Sequence, residues 1–307
     1  MKSSAFAPAT VSNLACGFDI LGFAMESPGD VVTAEKRKEK GVGIKKIISL
    51  QGTIPLVASK NTAGVAALLL LKKINARFGV DLFIEKNLPI GSGLGSSAAS
   101  AVAAAMAVNK IAGEPFSKIE LVAFAKEAER VACGSAHADN VAPSMLGGLV
   151  LIRSTELPDI ISLPVPDKLF YVVVHPHVEV LTSASRAILP QNVSLRTMVY
   201  QSANLGAFVS SLYTNDYKLM SRTLEDVIAE PVRKKLIPAF DEVKKAAMKN
   251  GALGCSISGS GPSVFALFDK KNLLERASVA MKKEFTRKNI FCDVFSGKIS
   301  KRGARLV

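Results

Sequence analysis

The chain has 307 residues, 49% of them hydrophobic, which is enough apolar material for a substantial core and a length that favours two domains over one. Its 39 Lys and Arg against 26 Asp and Glu give a net charge of +13, but the basic residues are mixed with acids along helical stretches (232–249 and 273–288) and Trp is absent, which argues against a nucleic-acid partner and suits an anionic small substrate. No uncharged apolar run reaches the ~18 residues of a membrane span, the start MKSSAFAPATVSN lacks the apolar centre of a secretory signal, and the four cysteines form no CxxC pair, so the expectation is a protein of the cytoplasm with reduced thiols and no membrane partner.

In chain order, PATVSNLACGFDILGFAM sets Asn13 and Asp19 around a turn at Gly17 among apolar residues. Such polar groups either hold the turn by Asx-type hydrogen bonds or face a polar ligand in a cleft. Asn61 or Thr62 can cap a helix through VAALLLLKKINARF, which ends at Gly79. Next comes FIEKNLPIGSGLGSSAASAVAAAMAVNKI: a strand, a turn with Gly91, Gly93 and Gly95, and an alanine-rich helix opened by Ser96 and Ser97. Glycines allow left-handed turns and close approach of a ligand, and the first helical turn offers free N–H groups at the positive end of the helix dipole. The alternative is a tight loop whose serines only cap the helix. A Walker loop is excluded because Ser96, not Lys, follows Gly95, and the spacing of the glycines excludes a Rossmann fingerprint.

Ser117 and Glu120 form a capping box for a helix that stops near Gly134. Glu129 lies near the C-terminal end of that helix, where the dipole disfavours a carboxylate, so it is either a surface residue or a partner of Ser97 on a magnesium ion. CGSAHADNVAPSMLGG crowds His137, Asp139 and Asn140 between a helix end and a strand at 147–153, as a polar cap or a functional loop. The proline-rich STELPDIISLPVPDK reads as a linker or edge segment, with a domain boundary near Leu163. Beyond it follow a strand from Leu169, helices to about Asn250, two strands in GCSISGSGPSVFALF, a helix from Lys271 to Asn289 and a strand in IFCDVF, together an α+β sandwich. In this half Thr182, Arg186 and Arg233 are candidates because arginine grips a carboxylate with two prongs. His175 and His177 form an HxH pair without a third metal ligand.

Three motifs in this order, PATxxNLxxGFD, PxGxGLGSSAA and SGSGPS, resemble the GHMP small-molecule kinases. HADNVAPSMLGG and NLACGFDILGFA are similar to the homoserine kinase family within them. The likeness spans nearly the whole chain. It implies the GHMP kinase fold: an N-terminal ribosomal-S5-like α+β domain, here 1–163, with a left-handed βαβ crossover, and a C-terminal ferredoxin-like α+β sandwich, here 164–307, with the site between them. It further implies that Pro89, Ile90, Gly91, Ser92, Gly93, Leu94, Gly95, Ser96, Ser97, Ala98 and Ala99 wrap the phosphates of ATP and that Ser97 and Glu129 hold Mg²⁺. Asn61 and Lys86 would lie toward adenine. Asn13 would meet the reacting hydroxyl of L-homoserine, Asp19, His137 and Asn140 its polar groups including the ammonium, and Thr182, Arg186 and Arg233 its carboxylate end. The product would be O-phospho-L-homoserine, in threonine biosynthesis, and the expected assembly is a homodimer.

Sister kinases for mevalonate and galactose carry a basic aspartate seven residues before the Gly-Gly pair; here that place is Asn140, which cannot take a proton. With Asp139 expected to point elsewhere, the expectation is catalysis by positioning and charge stabilisation, without a base. Rival readings are another GHMP kinase, acting on shikimate, a mevalonate-pathway substrate or a diphosphocytidyl-erythritol, and a non-catalytic ligand binder of the same superfamily.

Overall fold

The computed structural model describes residues 1–49, 52–134, 137–154 and 159–307. Strands β1 (Lys2–Ser12), β2 (Leu21–Arg37) and β3 (Gly41–Ser49) open the chain, followed by helix α1 (Thr62–Lys73) and strand β4 (Gly79–Lys86). Then come α2 (Ser96–Ile111), α3 (Lys118–Cys133), α4 (Val141–Leu146), β5 (Leu149–Ser154) and β6 (Asp159–Leu163). These strands form one sheet in the order β1-β2-β4-β3, with β5 and β6 added along β2; β3 and β4 are parallel and joined through α1. In β1, Ala5, Ala7, Ala9 and Val11 enter the core. The period of two therefore turns Thr10 and Ser12 to the opposite face, where they meet Asn140.

α2 is alanine-rich because it is buried nearly all round, packed on β1, β2, α1 and α3. Small side chains let these elements approach closely while the helix keeps its N-terminus open to the cleft. Asn61 caps α1 by accepting from the Ala63 and Gly64 N–H groups, and the capping box of Ser117 and Glu120 starts α3.

The second unit holds β7 (Phe170–Pro176), α5 (Thr182–Ala187), α6 (Leu195–Thr214), α7 (Tyr217–Thr223), α8 (Glu230–Arg233) and α9 (Phe240–Lys249). It continues with β8 (Gly254–Ile257), β9 (Val264–Phe268), α10 (Leu274–Thr286) and β10 (Cys292–Lys298). Its antiparallel sheet runs β10-β7-β9-β8, with α9 and α10 packed on it. The architecture is α+β with two sheets.

Of the segment read as a linker or edge segment, Asp159–Leu163 is strand β6, at the edge of the sheet on β5; residues 155–158 lie outside the described residues. One expectation changes. The chain end, placed with the second domain, returns to the first sheet: β11 (Arg305–Leu306) pairs with β1, and Ile299 bridges Met25. No helix among the described residues is long and apolar enough to cross a membrane.

Candidate active site

The two units meet at a cleft of about 360 Å³ whose wall includes Asn13, Asp19, Gly91, Ser97, Glu129, His137, Asp139, Asn140, Thr182, Arg186 and Arg233. At one end stands the glycine loop. Gly91, Gly93 and Gly95 take φ of 65°, 72° and 66°, left-handed values that side-chain-bearing residues avoid. The first intrahelical bond of α2 runs from the Ala99 N–H to the Gly95 carbonyl at 2.8 Å, so the N–H groups of Ser96, Ser97 and Ala98 precede it and point out of the helix end.

The loop is seated on the Ser258–Ser263 turn between β8 and β9. Ser258 Oγ donates to the Gly93 carbonyl at 2.7 Å, and the Ser263 N–H donates to the Ser92 carbonyl at 3.2 Å. A Cβ on Gly93 would stand 2.4 Å from the Ser258 carbonyl oxygen and 2.7 Å from that of Gly261. Gly93→Ala therefore lifts the loop off its seat, and turnover is expected to fall by about 10² or more, the scale of a 1 Å misplacement. Gly113→Ala is the control: it also has positive φ, but no atom lies within 4 Å of its Cβ. If the two variants kept equal activity in an ADP-release assay, the seating would not matter.

Beside the loop, Ser97 Oγ donates to Glu129 Oε2 at 2.8 Å. Glu129 is buried, not a surface residue. Burial pushes its carboxyl up to about 7; the Ser97 hydrogen bond and the Lys86 charge pull it back and Asp139 pushes it further. A hydroxyl and a buried carboxylate are hard oxygen donors that suit Mg²⁺, which takes one or two protein groups and completes its shell with water and phosphate. No cluster of three or more His, Cys, Asp or Glu suited to a metal occurs among the described residues.

In the same cleft a left-handed turn positions Asn13 and Asp19. Asn13, Leu14 and Ala15 have φ of 73°, 45° and 58°, which costs roughly 1–2 kcal/mol per residue for the two without a short polar side chain. The turn is closed by the Gly17 N–H on the Asn13 carbonyl at 2.9 Å and by the Asp19 N–H on Asn13 Oδ1 at 3.0 Å. Arg186 grips Asp19 with two prongs, at 3.0 and 2.7 Å. His137 Nδ1 lies 3.8 Å from the same carboxylate, and burial, aided by Arg186 and Arg233, lowers the imidazole from its ordinary value. Phe18 lies under both arginines, 4.9 Å from Arg233 and 5.8 Å from Arg186.

Several side chains expected to face ligands are engaged with the protein. Lys86 lines the cleft, but its ammonium bonds Asp30, the Ser96 carbonyl and Ser100 Oγ beneath the start of α2. Asn61 caps α1 and donates to the Pro55 carbonyl. An adenine contact from either is not what these bonds favour. Pro89, Leu94, Ala98 and Ala99 are buried and absent from the cleft wall, and the Ala99 N–H is taken. Arg233 Nε donates to the Ser185 carbonyl and Nη1 to that of Gly259, which also accepts from Asn13 Nδ2. Two donors of Arg233 are thus held by backbone carbonyls, as both terminal amines of Arg186 are held by Asp19. Thr182 Oγ1 lies 3.3 Å from Ser260 Oγ.

The largest correction concerns Asp139, which does not point elsewhere: it is buried and lines the cleft. Thr10 Oγ1 donates to Asn140 Oδ1 at 2.8 Å, Asn140 Nδ2 to Ser12 Oγ at 3.0 Å, and the Ser12 hydroxyl to the Asp139 carboxylate. Asn140 therefore links Thr10 and Ser12 while standing in the cleft wall. Burial, with the Asp19 charge adding to it, pushes the Asp139 carboxyl up to about 6; the Ser12 hydrogen bond and Arg186 oppose the rise. Ser12, Phe18, Ser258 and Ser260 had no individual reading from the sequence. The alternation of β1 pointed to Ser12, and SGSGPS contained the two others.

Residues 61–148 match the family profile described as GHMP kinases N terminal domain, and residues 208–287 the one described as GHMP kinases C terminal. A homoserine kinase of Chlorobium phaeobacteroides (strain BS1) is 48% identical, over 98% of this chain and 98% of its own length. The crystal structure of homoserine kinase from Cytophaga hutchinsonii ATCC 33406 superimposes with a TM-score of 0.96 at 46% identity, covering 100% of this chain and 97% of that one. Lactococcus lactis galactokinase complexed with galactose shares the fold alone, with a TM-score of 0.75 at 13% identity over 99% and 95% of the two chains. The chain belongs to the GHMP kinases and, within them, to the homoserine kinase family.

Proposed function

We propose that the enzyme transfers the γ-phosphoryl group of ATP to the side-chain hydroxyl of L-homoserine, giving O-phospho-L-homoserine and ADP in threonine biosynthesis. The observation that carries this reading is one cleft lined by the Ser97–Glu129 pair, the open end of α2 and the Asp19–Arg186 pair together. Residues 1–163 would supply the nucleotide side, and residues from 164 would close over it.

The N–H groups at the start of α2 and in the glycine loop hold phosphate oxygens, and the helix dipole favours their charge. Ser97 and Glu129 would hold Mg²⁺, which would supply positive charge beside the phosphates. Opposite charges lie side by side in the Asp19–Arg186 pair, so a zwitterion can set its ammonium on Asp19 and its carboxylate on Arg186 and Thr182. This orientation turns the hydroxyl toward Asn13 and Asp139. With its carboxyl near 6, Asp139 is ionised at neutral pH and accepts the hydroxyl proton through an oxygen atom of its carboxylate. The proposed setting is the cytoplasm, and the proposed assembly a homodimer.

A coupled ADP-release assay across homoserine, mevalonate, galactose and shikimate, with and without Mg²⁺, tests the reading. ADP should form only with homoserine and Mg²⁺ together. No homoserine-dependent signal would sink the assignment, and a shikimate or mevalonate signal would hand it to a rival. Loss of discrimination against the deaminated analogue of homoserine would remove Asp19 as the ammonium site.

A further inference from the structure

Among the described residues, those that line the cleft include none of α6. Yet Gln201 of this helix is buried, and both ends of its amide reach backbone that carries cleft side chains. Nε2 donates to the Cys16 carbonyl at 3.1 Å, and Oε1 accepts from the Val227 N–H at 3.1 Å. Neither bond belongs to a helix or a sheet ladder. One side chain thus ties the turn of Asn13 and Asp19, in the first unit, to the segment that leads into α8, in the second.

We infer that Gln201 is a positioning residue for the amino-acid half of the cleft, holding the left-handed turn that carries Asn13 and Asp19 against the segment that carries Arg233. Asn13, Leu14 and Ala15 all have positive φ, a conformation that persists only where the surrounding bonds over-determine it. Two bonds to the second unit bracket these three residues. At one end Asn13 Nδ2 donates to the Gly259 carbonyl at 2.7 Å, and at the other the Cys16 carbonyl accepts from Gln201. Phe18 and Asp19 follow within three residues of Cys16. Because Phe18 lies under Arg233 and Arg186, a turn that relaxes displaces the Asp19 carboxylate and the floor of both guanidinium groups together.

On the other side, the N–H groups of Val227, Ile228, Ala229 and Glu230 stand at the entry to α8, where a helix leaves donors without intrahelical partners. Gln201 takes the first, and the buried Asp226 carboxylate takes the other three at 2.8, 2.8 and 3.0 Å. Arg233 lies one turn further, its own N–H on the Ala229 carbonyl at 3.0 Å. An amide is what this place needs. A carboxylate cannot donate to Cys16, a thioether cannot replace the amide at either end, and solvent does not make good a partner lost from a buried side chain.

The inference rests on the cleft being the homoserine site. Its test is steady-state ADP release with homoserine and ATP varied in turn, together with calorimetric binding of ADP, for wild type, Gln201→Met, Gln201→Glu and the control Ser211→Ala. Ser211 is also buried in α6, and its Oγ donates to the Phe208 carbonyl of the same helix, so the control loses a buried hydrogen bond without touching the turn. Both Gln201 variants should lose about 10² in kcat/KM for homoserine, the scale of a 1 Å misplacement, and raise its KM about tenfold. KM for ATP and the affinity for ADP should stay at wild-type values, and Ser211→Ala should match wild type throughout. Gln201→Glu keeps an acceptor for the Val227 N–H, so wild-type kinetics in that variant would take the role away from the turn and overturn the inference. Losses that fall equally on homoserine and ATP, or that Ser211→Ala shares, would overturn it as well, leaving Gln201 a residue of the fold alone. A wild type without homoserine-dependent turnover would overturn the homoserine assignment and the inference with it, whereas an active wild type beside unaffected variants overturns the inference alone.

Discussion

Glu129→Gln is expected to give a protein more stable than wild type at pH 8 and at least about 10² slower, the scale of losing one electrostatic contact to a developing charge. The carboxyl of Glu129 is raised from 4.5 to about 7 chiefly by burial, so the fold prefers it neutral. For a raised carboxyl the favourable contribution is complete below 4.5, shrinks from there, and is gone above about 7, where the folded protein holds a carboxylate it would rather protonate. The displacement corresponds to about 3 kcal/mol. Glutamine escapes this penalty and can still accept the Ser97 hydroxyl hydrogen. Urea unfolding should therefore find the variant more stable by about 2–3 kcal/mol at pH 8 and nearly level with wild type at pH 4.5. The same group makes metal binding depend on pH. A proton and Mg²⁺ compete for the carboxylate, so Mg²⁺ affinity of the wild type should fall about tenfold for each pH unit below 7, a slope that calorimetric titration would find absent in the variant. Equal stabilities at both pH values, or full activity, would show that Glu129 is neither strained by burial nor used on the metal.

Where a conformational demand forces a residue type, the sequence displayed the site. Left-handed backbone at 91, 93 and 95 requires glycine, so the loop was legible, and the Ser117–Glu120 box and the Asn61 cap were legible because caps are local. Direction was harder to read. Counting back from Gly147 identified which residue stands at a position, but the orientation of Asp139 and Asn140 is set by Thr10 and Ser12, about 130 residues away in sequence. Lys86 likewise follows Asp30, a partner 56 residues earlier. In β2 and β3, Lys and Glu interrupt the apolar residues and Ser-Pro-Gly sits in the middle of β2, so composition gave no strand there although β2 is central to the first sheet and β3 forms its edge. The same limit hid the return of residues 305–306 to β1, since pairing of chain ends leaves no periodic mark.

Asp139→Asn separates the two chemistries open to the cleft. If positioning and charge stabilisation suffice, the amide keeps the shape and turnover changes little. If Asp139 takes the hydroxyl proton, kcat should fall by about 10²–10⁴, the usual contribution of a general base, while KM for homoserine stays close to its wild-type value. The pH profile gives an independent reading. With Mg²⁺ saturating, Glu129 is held as carboxylate, so the acidic limb of wild-type kcat/KM should lie near 6, where Asp139 loses its proton, and the variant should be flat across that range. Urea unfolding at pH 8 separates lost activity from a lost fold. The Asp139 carboxyl is raised, so its contribution to stability is complete below 3.8 and lost as pH rises through about 6. At pH 8 the neutral asparagine is the more stable occupant. An acidic limb that persists in Asp139→Asn, or turnover within a few-fold of wild type, would return the proton to phosphate or water and leave the glycine loop, the end of α2 and Arg186 to lower the barrier.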